Sequence, residues 1–250
     1  MDELIKNVLC YYKGDVMASA IAIGTEDLSG VYPHIPKLPT KSGQFGSTYT
    51  VVHAGKHYIR KDIPFKEPVE LGGGVYTPGY SETDFVNEVT FQDEVSEIGL
   101  APKIYQAWVS NNTGTIIMDK LEDPDWIILT EILDKEEDKV AEVFTSVARG
   151  AVRMAEELNL EHRDVQPDNV FYNPKTKEIK FIDFGKAKKL EKQKTPREIV
   201  ANVVYTLFKG WFGARYEWIL DPTKEIDFNN DEDLEKDYKT VEKIFNNLGL

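Results

Sequence analysis

Three side chains that can handle protons or hard cations lie within the short stretch 162–183. Asp164 and Asn169 belong to the run His-Arg-Asp-Val-Gln-Pro-Asp-Asn, and Asp183 belongs to the run Ile-Asp-Phe-Gly. Between Asn169 and Asp183, two short strand patterns flank a turn that contains Asn, Pro and Lys, which predicts a β-hairpin. Such a hairpin brings Asp183 back to Asn169. Two oxygen-bearing side chains there would suit Mg²⁺ together with phosphate oxygens, and Asp164 adds a carboxylate at the mouth of the same loop.

The two runs resemble the catalytic loop and the metal-binding loop of protein kinases. In that family, the Asp of H-R-D-x-x-x-x-N accepts the proton of the substrate hydroxyl, while the Asn and the Asp of D-F-G bind magnesium. The resemblance implies that Asp164 is the catalytic base, that Asn169 and Asp183 are metal ligands, and that ATP and Mg²⁺ are used. The alternative is that all three are ordinary turn residues, a common role for Asp and Asn.

A glycine-rich hairpin pattern lies upstream of these motifs. Gly43 and Gly46 precede two strand patterns in 47–63 and are similar to the second and third glycines of the kinase G-x-G-x-x-G loop, whose backbone amides approach phosphates. Lys41 stands where that loop has its first glycine. Lys61, on the second strand, occupies the place of the kinase V-A-I-K lysine, so the resemblance assigns it to the α- and β-phosphates. The alternative is a solvated lysine on a strand.

A helix that should present the partner of this lysine is predicted between Ser81 and Gly99. Ser81 and Asp84 form a loose capping box at its start, and Gly99 is a suitable end. By the spacing of the kinase family, Glu88 is the expected ion-pair partner of Lys61. The alternatives on the same helix are Glu94 and Glu97.

Two further strand patterns predict the segment that would hold the adenine ring. They cover 103–109 and 115–118, and the run Met-Asp-Lys-Leu that follows falls where kinases have their hinge. The resemblance implies that backbone groups of Asp119 and Leu121 bond the adenine edge. Upstream of the helix, the glycine-containing segment 66–80 is interpreted as a flexible insertion.

The resemblance covers roughly Gly43 to Phe208 and becomes weaker after Gly185. A long amphipathic helix is predicted at 134–159, as in the kinase C-lobe. After Gly185 there is no A-P-E run, the next helix starts at Thr195, and the Asp of that helix that braces the catalytic loop of typical kinases is not found. Gln166 stands where protein-serine kinases commonly have a lysine, so a hydrogen-bond donor replaces a charge. Either turnover is slower or another cation substitutes.

These features together predict an α+β, two-lobed protein-kinase-like fold. The whole chain, 1–250, is expected to form one such domain, with a small β-rich N-lobe at about 1–118 and a reduced helical C-lobe at about 122–250. The reduced C-lobe is similar to that of compact atypical kinases such as the RIO kinases, the KEOPS-complex kinase and small viral serine/threonine kinases. The implied function is phosphoryl transfer from ATP to a serine or threonine of a protein. The alternatives are a small-molecule kinase of the aminoglycoside or choline type and a non-catalytic nucleotide-binding scaffold.

Composition and charge set the expectations for partners and location. The formal net charge of −13 argues against direct nucleic-acid binding, which needs clustered basic side chains. A single cysteine, Cys10, fits a reducing compartment. The acidic N-terminus and the short apolar runs predict neither a signal peptide nor a membrane helix, so a cytoplasmic location is expected.

One segment inverts the acidic character of the chain. Residues 186–197 carry six basic side chains and only one acidic side chain, Glu191. In the kinase pattern this segment lies beside the acceptor site, so it favours recruitment of an acidic or phosphorylated protein acceptor. A solvated loop is the alternative. The basic residues are Lys186, Lys188, Lys189, Lys192, Lys194 and Arg197.

Overall fold

The computed structural model describes most of the chain from position 46 onward and forms two compact units. The first unit holds the described residues up to 97 together with 102–120, and the second holds 98–101 and 121–250. Gly43 and the first turns of the helix predicted at 134–159 lie outside the described residues. The described ranges are 21–22, 41–42, 46–53, 55–72, 74–122, 125–133, 139–212, 216–221 and 232–250.

The first unit consists of a sheet, a hairpin and one long helix. Its elements are β1 (Ile21–Ala22), β2 (Lys41–Ser42), β3 (Ser47–His53), β4 (Lys56–Pro64), β5 (Val69–Gly72), β6 (Val75–Thr77), α1 (Glu82–Glu97), β7 (Ile104–Ser110) and β8 (Thr113–Asp119). Six of the strands form an antiparallel sheet with the order β1-β7-β8-β4-β3-β2. Strands β5 and β6 form a separate hairpin.

Helix α1 begins and packs as its sequence predicts. The Ser81 backbone N–H donates to Asp84 Oδ2 at 2.7 Å, and the Asp84 N–H donates to Ser81 Oγ at 3.2 Å, which is a reciprocal capping box. The buried Phe85 and Val89 of α1 join a core with apolar residues of the sheet, including Ile116. This packing fixes the rotation of α1 about its axis, and therefore which of its acids faces the sheet.

The segment 66–80, which the sequence predicted to be a flexible insertion, contains regular secondary structure. It forms the hairpin β5-β6, which is closed at its base by an isolated antiparallel bridge between Lys66 and Tyr80. Gly72 and Gly74, with φ of 96° and 80°, provide the left-handed backbone of the turn. The sequence analysis missed the hairpin because it interpreted these glycines as part of a loop, whereas they allow a tight reversal between two short strands.

The second unit is mainly helical. Its elements are β9 (Ile127–Ile128), α2 (Leu129–Leu133), α3 (Val140–Leu158), β10 (Leu160–Glu161), β11 (Val170–Tyr172), β12 (Ile179–Phe181), β13 (Lys188–Lys189), α4 (Pro196–Phe212) and α5 (Glu232–Leu248). The central helix α3 packs against α4 and α5, and Phe144 of α3 meets Phe208 of α4 edge to face at a ring distance of 5.4 Å.

Two small sheets hold the loops of the second unit in place. Strands β12, β11 and β9 form one antiparallel sheet, and β10 pairs with β13 in the other. A β-rich first unit and a helical second unit confirm the predicted α+β class. No helix in the described ranges is long and apolar enough to cross a membrane.

Candidate active site

The first unit contains a buried ion pair between Lys61 and Glu88. Lys61 Nζ donates to Glu88 Oε1 at 2.6 Å, and the hydroxyl of Tyr80 donates to Glu88 Oε2. The Glu88 side chain is only 1% exposed. The pair predicted by family spacing is therefore present, and Glu88 rather than Glu94 or Glu97 makes it. Its role toward phosphates remains a prediction.

Tyr80 was not identified from the sequence, although it provides the second partner of Glu88. Its position depends on the bridge to Lys66 at the base of the β5-β6 hairpin, where each residue's backbone N–H donates to the other's carbonyl at 2.8 and 3.0 Å. A tyrosine directly before a helix cap carries no local signal for this role. Only the hairpin fold brings its hydroxyl to Glu88.

The helix and the sheet approach closely beside this pair. A Cβ atom at Gly114 of β8 would fall on the ring of Phe85, one turn before Glu88 on α1. Lys61 lies on the adjacent strand β4, opposite Ile116 of β8. The glycine therefore allows α1 to lie near enough to the sheet for Glu88 to reach the lysine.

Backbone packing alone explains why position 46 is a glycine. A Cβ atom there would lie 2.5 Å from the carbonyl oxygen of Asp62 on β4, closer than any side chain tolerates. The residue thus permits a close backbone approach at the start of β3, independently of phosphate binding. Its predicted contact with a nucleotide stays a prediction.

The end of β8, where the hinge was predicted, is held by a polar network. Lys56 Nζ donates to the Tyr105 hydroxyl at 2.8 Å, this hydroxyl donates to Asp119 Oδ1 at 2.8 Å, and Lys56 lies 3.4 Å from Asp119. The hydrogen bond to Tyr105 and the charge of Asp119 raise the pKa of Lys56. Burial raises the pKa of Tyr105. The Asp119 backbone N–H donates to the Lys103 carbonyl at 2.9 Å, so an adenine contact at Asp119 would use its carbonyl oxygen.

In the second unit, His162 connects the two loops that carry the candidate catalytic residues. Its Nδ1 accepts the backbone N–H of Asp164 at 3.3 Å, and its Nε2 lies 3.0 Å from the Ile182 carbonyl oxygen. This network assigns the proton to Nε2, which donates to the carbonyl. The buried ring also packs against Phe184 at 4.7 Å and Phe181 at 5.5 Å. His162 is a positioning residue that the sequence analysis did not assign.

Asn169 and Asp183 are brought together as the hairpin pattern predicted. Strands β11 and β12 pair in register, and the Ile182 N–H donates to the Asn169 carbonyl at 3.0 Å. Asn169 Nδ2 donates to the Asp164 carbonyl at 3.0 Å, which leaves the amide oxygen of Asn169 as its metal-binding atom. The prediction of the hairpin itself is confirmed.

The donor set at this point fits magnesium. Asn169 and Asp183 offer oxygen atoms only, which a hard cation prefers. The described residues contain no cluster of three or more His, Cys, Asp or Glu side chains that could hold a metal on its own. A magnesium ion held here would take its remaining ligands from phosphate oxygens and water.

Both loops contain a residue in the left-handed backbone region. Arg163 has φ of 63° and Asp183 has φ of 67°. Such conformations cost on the order of 1 kcal/mol or more for non-glycine residues and persist where surrounding contacts fix them. Here those contacts are the His162 hydrogen bonds and the buried Phe184, so each loop is held in one geometry.

The carboxylate of Asp164 forms an ion pair with Lys186. Lys186 Nζ lies 2.9 Å from Asp164 Oδ2, and the side chains are 51% and 16% exposed, respectively. From the sequence, Lys186 is only one member of the basic segment 186–197. The signal that could have identified it is its position directly after Asp-Phe-Gly, where the loop turns back toward the catalytic loop.

Most other basic residues of the segment 186–197 also contact this chain. Lys188 pairs with Glu191 at 3.0 Å, Lys189 donates to the Leu158 carbonyl at 3.1 Å, Lys194 pairs with Glu161 at 2.6 Å, and Arg197 lies over the Phe245 ring. Their side chains therefore have structural roles besides any partner binding. Lys188, Lys189 and Lys192 remain exposed at the surface.

Helix α4 does not supply the brace that typical kinases use. It contains no Asp, and Asn202 and Thr206 donate to backbone carbonyls one turn earlier in the same helix, at 2.9 and 2.8 Å. A cavity of about 270 Å³ lies here, lined by α3, α4 and the loop that contains His162 and Arg163. Within the described ranges, the side chains of His162 and Asn169 and the backbone N–H of Gln166, which donates to the Asp164 carbonyl at 2.8 Å, hold the Asp164 backbone.

Comparisons with known proteins identify the family of the chain. A family model described as the protein kinase domain matches residues 41–207. Calcium-dependent protein kinase 22 of Arabidopsis thaliana is 28% identical over 174 residues, which cover 65% of this chain and 33% of that protein. The dual specificity mitogen-activated protein kinase kinase mek-2 of Caenorhabditis elegans is 34% identical over 82 residues, which cover 32% of this chain and 21% of that protein. These matches span no more than a third of either relative. Because the family model covers more than half of the chain, the chain belongs to the protein kinase domain family.

Proposed function

We propose that this protein is an ATP- and magnesium-dependent kinase that transfers the γ-phosphoryl group to a serine or threonine hydroxyl of a protein. The observation that carries the proposal is the arrangement in the second unit, where one set of hydrogen bonds joins the Asp164 backbone, the Asn169 side chain and the backbone of Ile182, the residue before Asp183. A fixed base beside two oxygen ligands is what phosphoryl transfer requires, because this reaction depends on positioning and charge stabilisation.

Each candidate residue has one role in the proposed reaction. Asp164 accepts the proton of the attacking hydroxyl. Asn169 and Asp183 would hold magnesium, which when bound neutralises charge on the β- and γ-phosphates. In the first unit, Lys61 offers its ammonium group to the α- and β-phosphates, and Glu88 fixes the direction of that group.

Nucleotide recognition is assigned to backbone atoms. The carbonyl of Asp119 and the N–H of Leu121 would bond the adenine edge, and the backbone at Gly43 and Gly46 would approach the phosphates. The contacts of Lys56 and Tyr105 with the Asp119 carboxylate support this assignment, because they fix the position of Asp119 at the end of β8.

A small-molecule kinase is the second candidate function. The support is the short segment between Gly185 and α4, part of which is already paired as β13 with β10. Such a segment offers less surface for a peptide than a long activation segment would. A non-catalytic scaffold is the third candidate, and its sequence support is Gln166 in the place of a lysine.

For a protein acceptor, the exposed lysines of the segment 186–197 are the proposed recruitment surface. Lys188 and Lys192 are exposed, in a chain with a net charge of −13, so they would attract an acidic or phosphorylated partner. We also place the reaction in the cytoplasm, on the sequence evidence of a single cysteine.

The test is transfer of label from ATP in the presence of Mg²⁺ to casein, myelin basic protein or a small aminoalcohol, with nucleotide binding measured in parallel. Asp183→Ala should remove magnesium-dependent ATP binding. Asp164→Ala should keep binding and lower transfer by roughly 10²- to 10⁴-fold, the usual contribution of a general base. Asp168→Asn is the matched control, since Asp168 is an exposed carboxylate in the same loop.

The outcomes separate the three candidates. Label on protein supports the protein kinase, label only on the small alcohol supports the small-molecule kinase, and binding without any transfer supports the scaffold. Transfer by Asp164→Ala at the wild-type rate would show that another group is the base.

A further inference from the structure

The catalytic loop lacks a positive charge where protein-serine kinases commonly have one. Gln166 stands two residues after Asp164 and is exposed. Its amide can donate a hydrogen bond but cannot neutralise the charge of a transferring phosphoryl group. The reaction proposed above therefore needs a cation from elsewhere in the chain.

Lys186 is held beside Asp164 by backbone structure on both sides. The turn 184–186 is closed by the hydrogen bond from the Ala187 N–H to the Phe184 carbonyl at 2.9 Å. Immediately afterwards, β13 pairs with β10, which places Lys188 opposite Glu161, three residues before Asp164. The backbone position of Lys186 relative to Asp164 is thus fixed, and only side-chain rotations remain.

Neighbouring basic residues are engaged elsewhere. Lys188 contacts Glu191, Lys189 contacts the Leu158 carbonyl, and Lys194 contacts Glu161. In the part of the chain that the structure describes, Lys186 is the basic side chain recorded in contact with the Asp164 carboxylate. About half of the Lys186 side chain is exposed, so its ammonium group can also meet a ligand.

We propose that Lys186 supplies the cation that is missing at Gln166 and contacts the transferring phosphoryl group. This inference rests on the proposed kinase function. In the step, the acceptor oxygen bonds to the γ-phosphorus, the bond from that phosphorus to the bridging oxygen breaks, and the electron pair leaves on ADP. The hydroxyl proton moves to Asp164. Lys186 stabilises the charge on the phosphoryl oxygens while its contact with Oδ2 leaves Oδ1 of Asp164 for the proton.

A lysine suits this role. Its ammonium group is a compact charge on a flexible stem, so it can remain near a carboxylate and still follow a phosphoryl group in transfer. The pair lies at the surface on the lysine side, with Lys186 51% exposed, so removal of Lys186 should leave the protein folded. Loss of activity in a Lys186 variant can then be attributed to the reaction.

The experiment compares steady-state phosphorylation by four variants of the full chain. Lys186→Met should lower kcat about 10²-fold, the usual effect of losing one transition-state donor, and change the KM for ATP less than about threefold. Lys186→Arg should retain at least about a tenth of the wild-type kcat, because the charge is kept. Adding Gln166→Lys to Lys186→Met should restore kcat at least about tenfold, since it returns the charge to the position that other kinases use.

Lys175→Met is the matched control, because Lys175 forms an exposed ion pair with Asp125 at 2.8 Å in the same unit. It should keep the wild-type kcat. Thermal unfolding and ATP binding of Lys186→Met should match the wild type. These measurements separate a catalytic effect from a folding effect.

Three results would overturn the inference. Lys186→Met with kcat within about twofold of wild type would make Lys186 a surface lysine. A rise only in the KM for the acceptor would assign it to recruitment. A loss of kcat that Gln166→Lys does not restore would mean that Lys186 acts by orienting Asp164 alone. Failure of the wild-type protein to transfer phosphate would instead refute the proposed function itself.

Discussion

Replacement of Lys61 by Met should destabilise the first unit as well as weaken ATP binding. Glu88 is 1% exposed, and its two oxygens depend on Lys61 and on the hydroxyl of Tyr80. Without the lysine, a buried carboxylate keeps one neutral partner. Breaking a buried ion pair in this way costs about 3–5 kcal/mol. For a chain of this size the loss corresponds to a fall in Tm of roughly 6–20 °C.

Urea and thermal unfolding of Lys61→Met, Glu88→Gln and the double variant measure this effect. The double variant should recover about 2 kcal/mol or more relative to Lys61→Met, because glutamine is neutral and its oxygen can still accept from Tyr80. ATP binding should remain weak in the double variant, since the phosphate-binding ammonium group is absent. Stability and nucleotide binding would thus be separated.

Lys175→Met again provides the control, because both side chains of its ion pair with Asp125 are more than 60% exposed. It should cost less than about 1 kcal/mol. A cost for Lys61→Met no larger than that of the control would contradict a stabilising role of the buried ion pair. A double variant no more stable than Lys61→Met would contradict it as well.

Two further results are expected. Lys188→Glu combined with Lys192→Glu should raise the KM for an acidic protein acceptor and make that KM less dependent on salt, while the KM for ATP stays unchanged. Charges more than about 10 Å apart are screened at 0.1 M salt, so the assay needs a salt series. Equal acceptor KM values for variant and wild type at every salt concentration would exclude recruitment. Gly114→Ala should cost about 1–3 kcal/mol in urea unfolding, because the new methyl group falls on the Phe85 ring and separates α1 from the sheet; an unchanged unfolding midpoint would contradict this close approach.

Local patterns in the sequence were sufficient for much of the fold and for the positions of the candidate catalytic residues. Turn residues between two short strand patterns predicted the hairpin that joins Asn169 to Asp183, and Ser81 with Asp84 predicted the start of α1. These features depend on residues close together in the chain, whose preferences for turns, caps and strands are local. The resemblance to kinases then assigned Glu88 to Lys61, which periodicity alone could not do.

The contacts that fix the site required the tertiary structure. Tyr80 reaches Glu88 because a hairpin closes on Lys66, although the glycines of that segment had indicated flexibility. His162 links two loops through the carbonyl of Ile182, twenty positions later. None of these residues carries a local signal, because their partners are chosen by how distant strands pair.

The segment 186–197 shows most clearly which properties come from the sequence and which come from the tertiary structure. Its sequence determines the charge, six basic residues in an acidic chain. The pairing of β10 with β13 fixes the position of the segment, in which Lys186 contacts Asp164 and Lys194 contacts Glu161. Register between strands that are distant in the chain is a property of the folded molecule, so the sequence marked a basic surface where the structure places a cation at the candidate catalytic base.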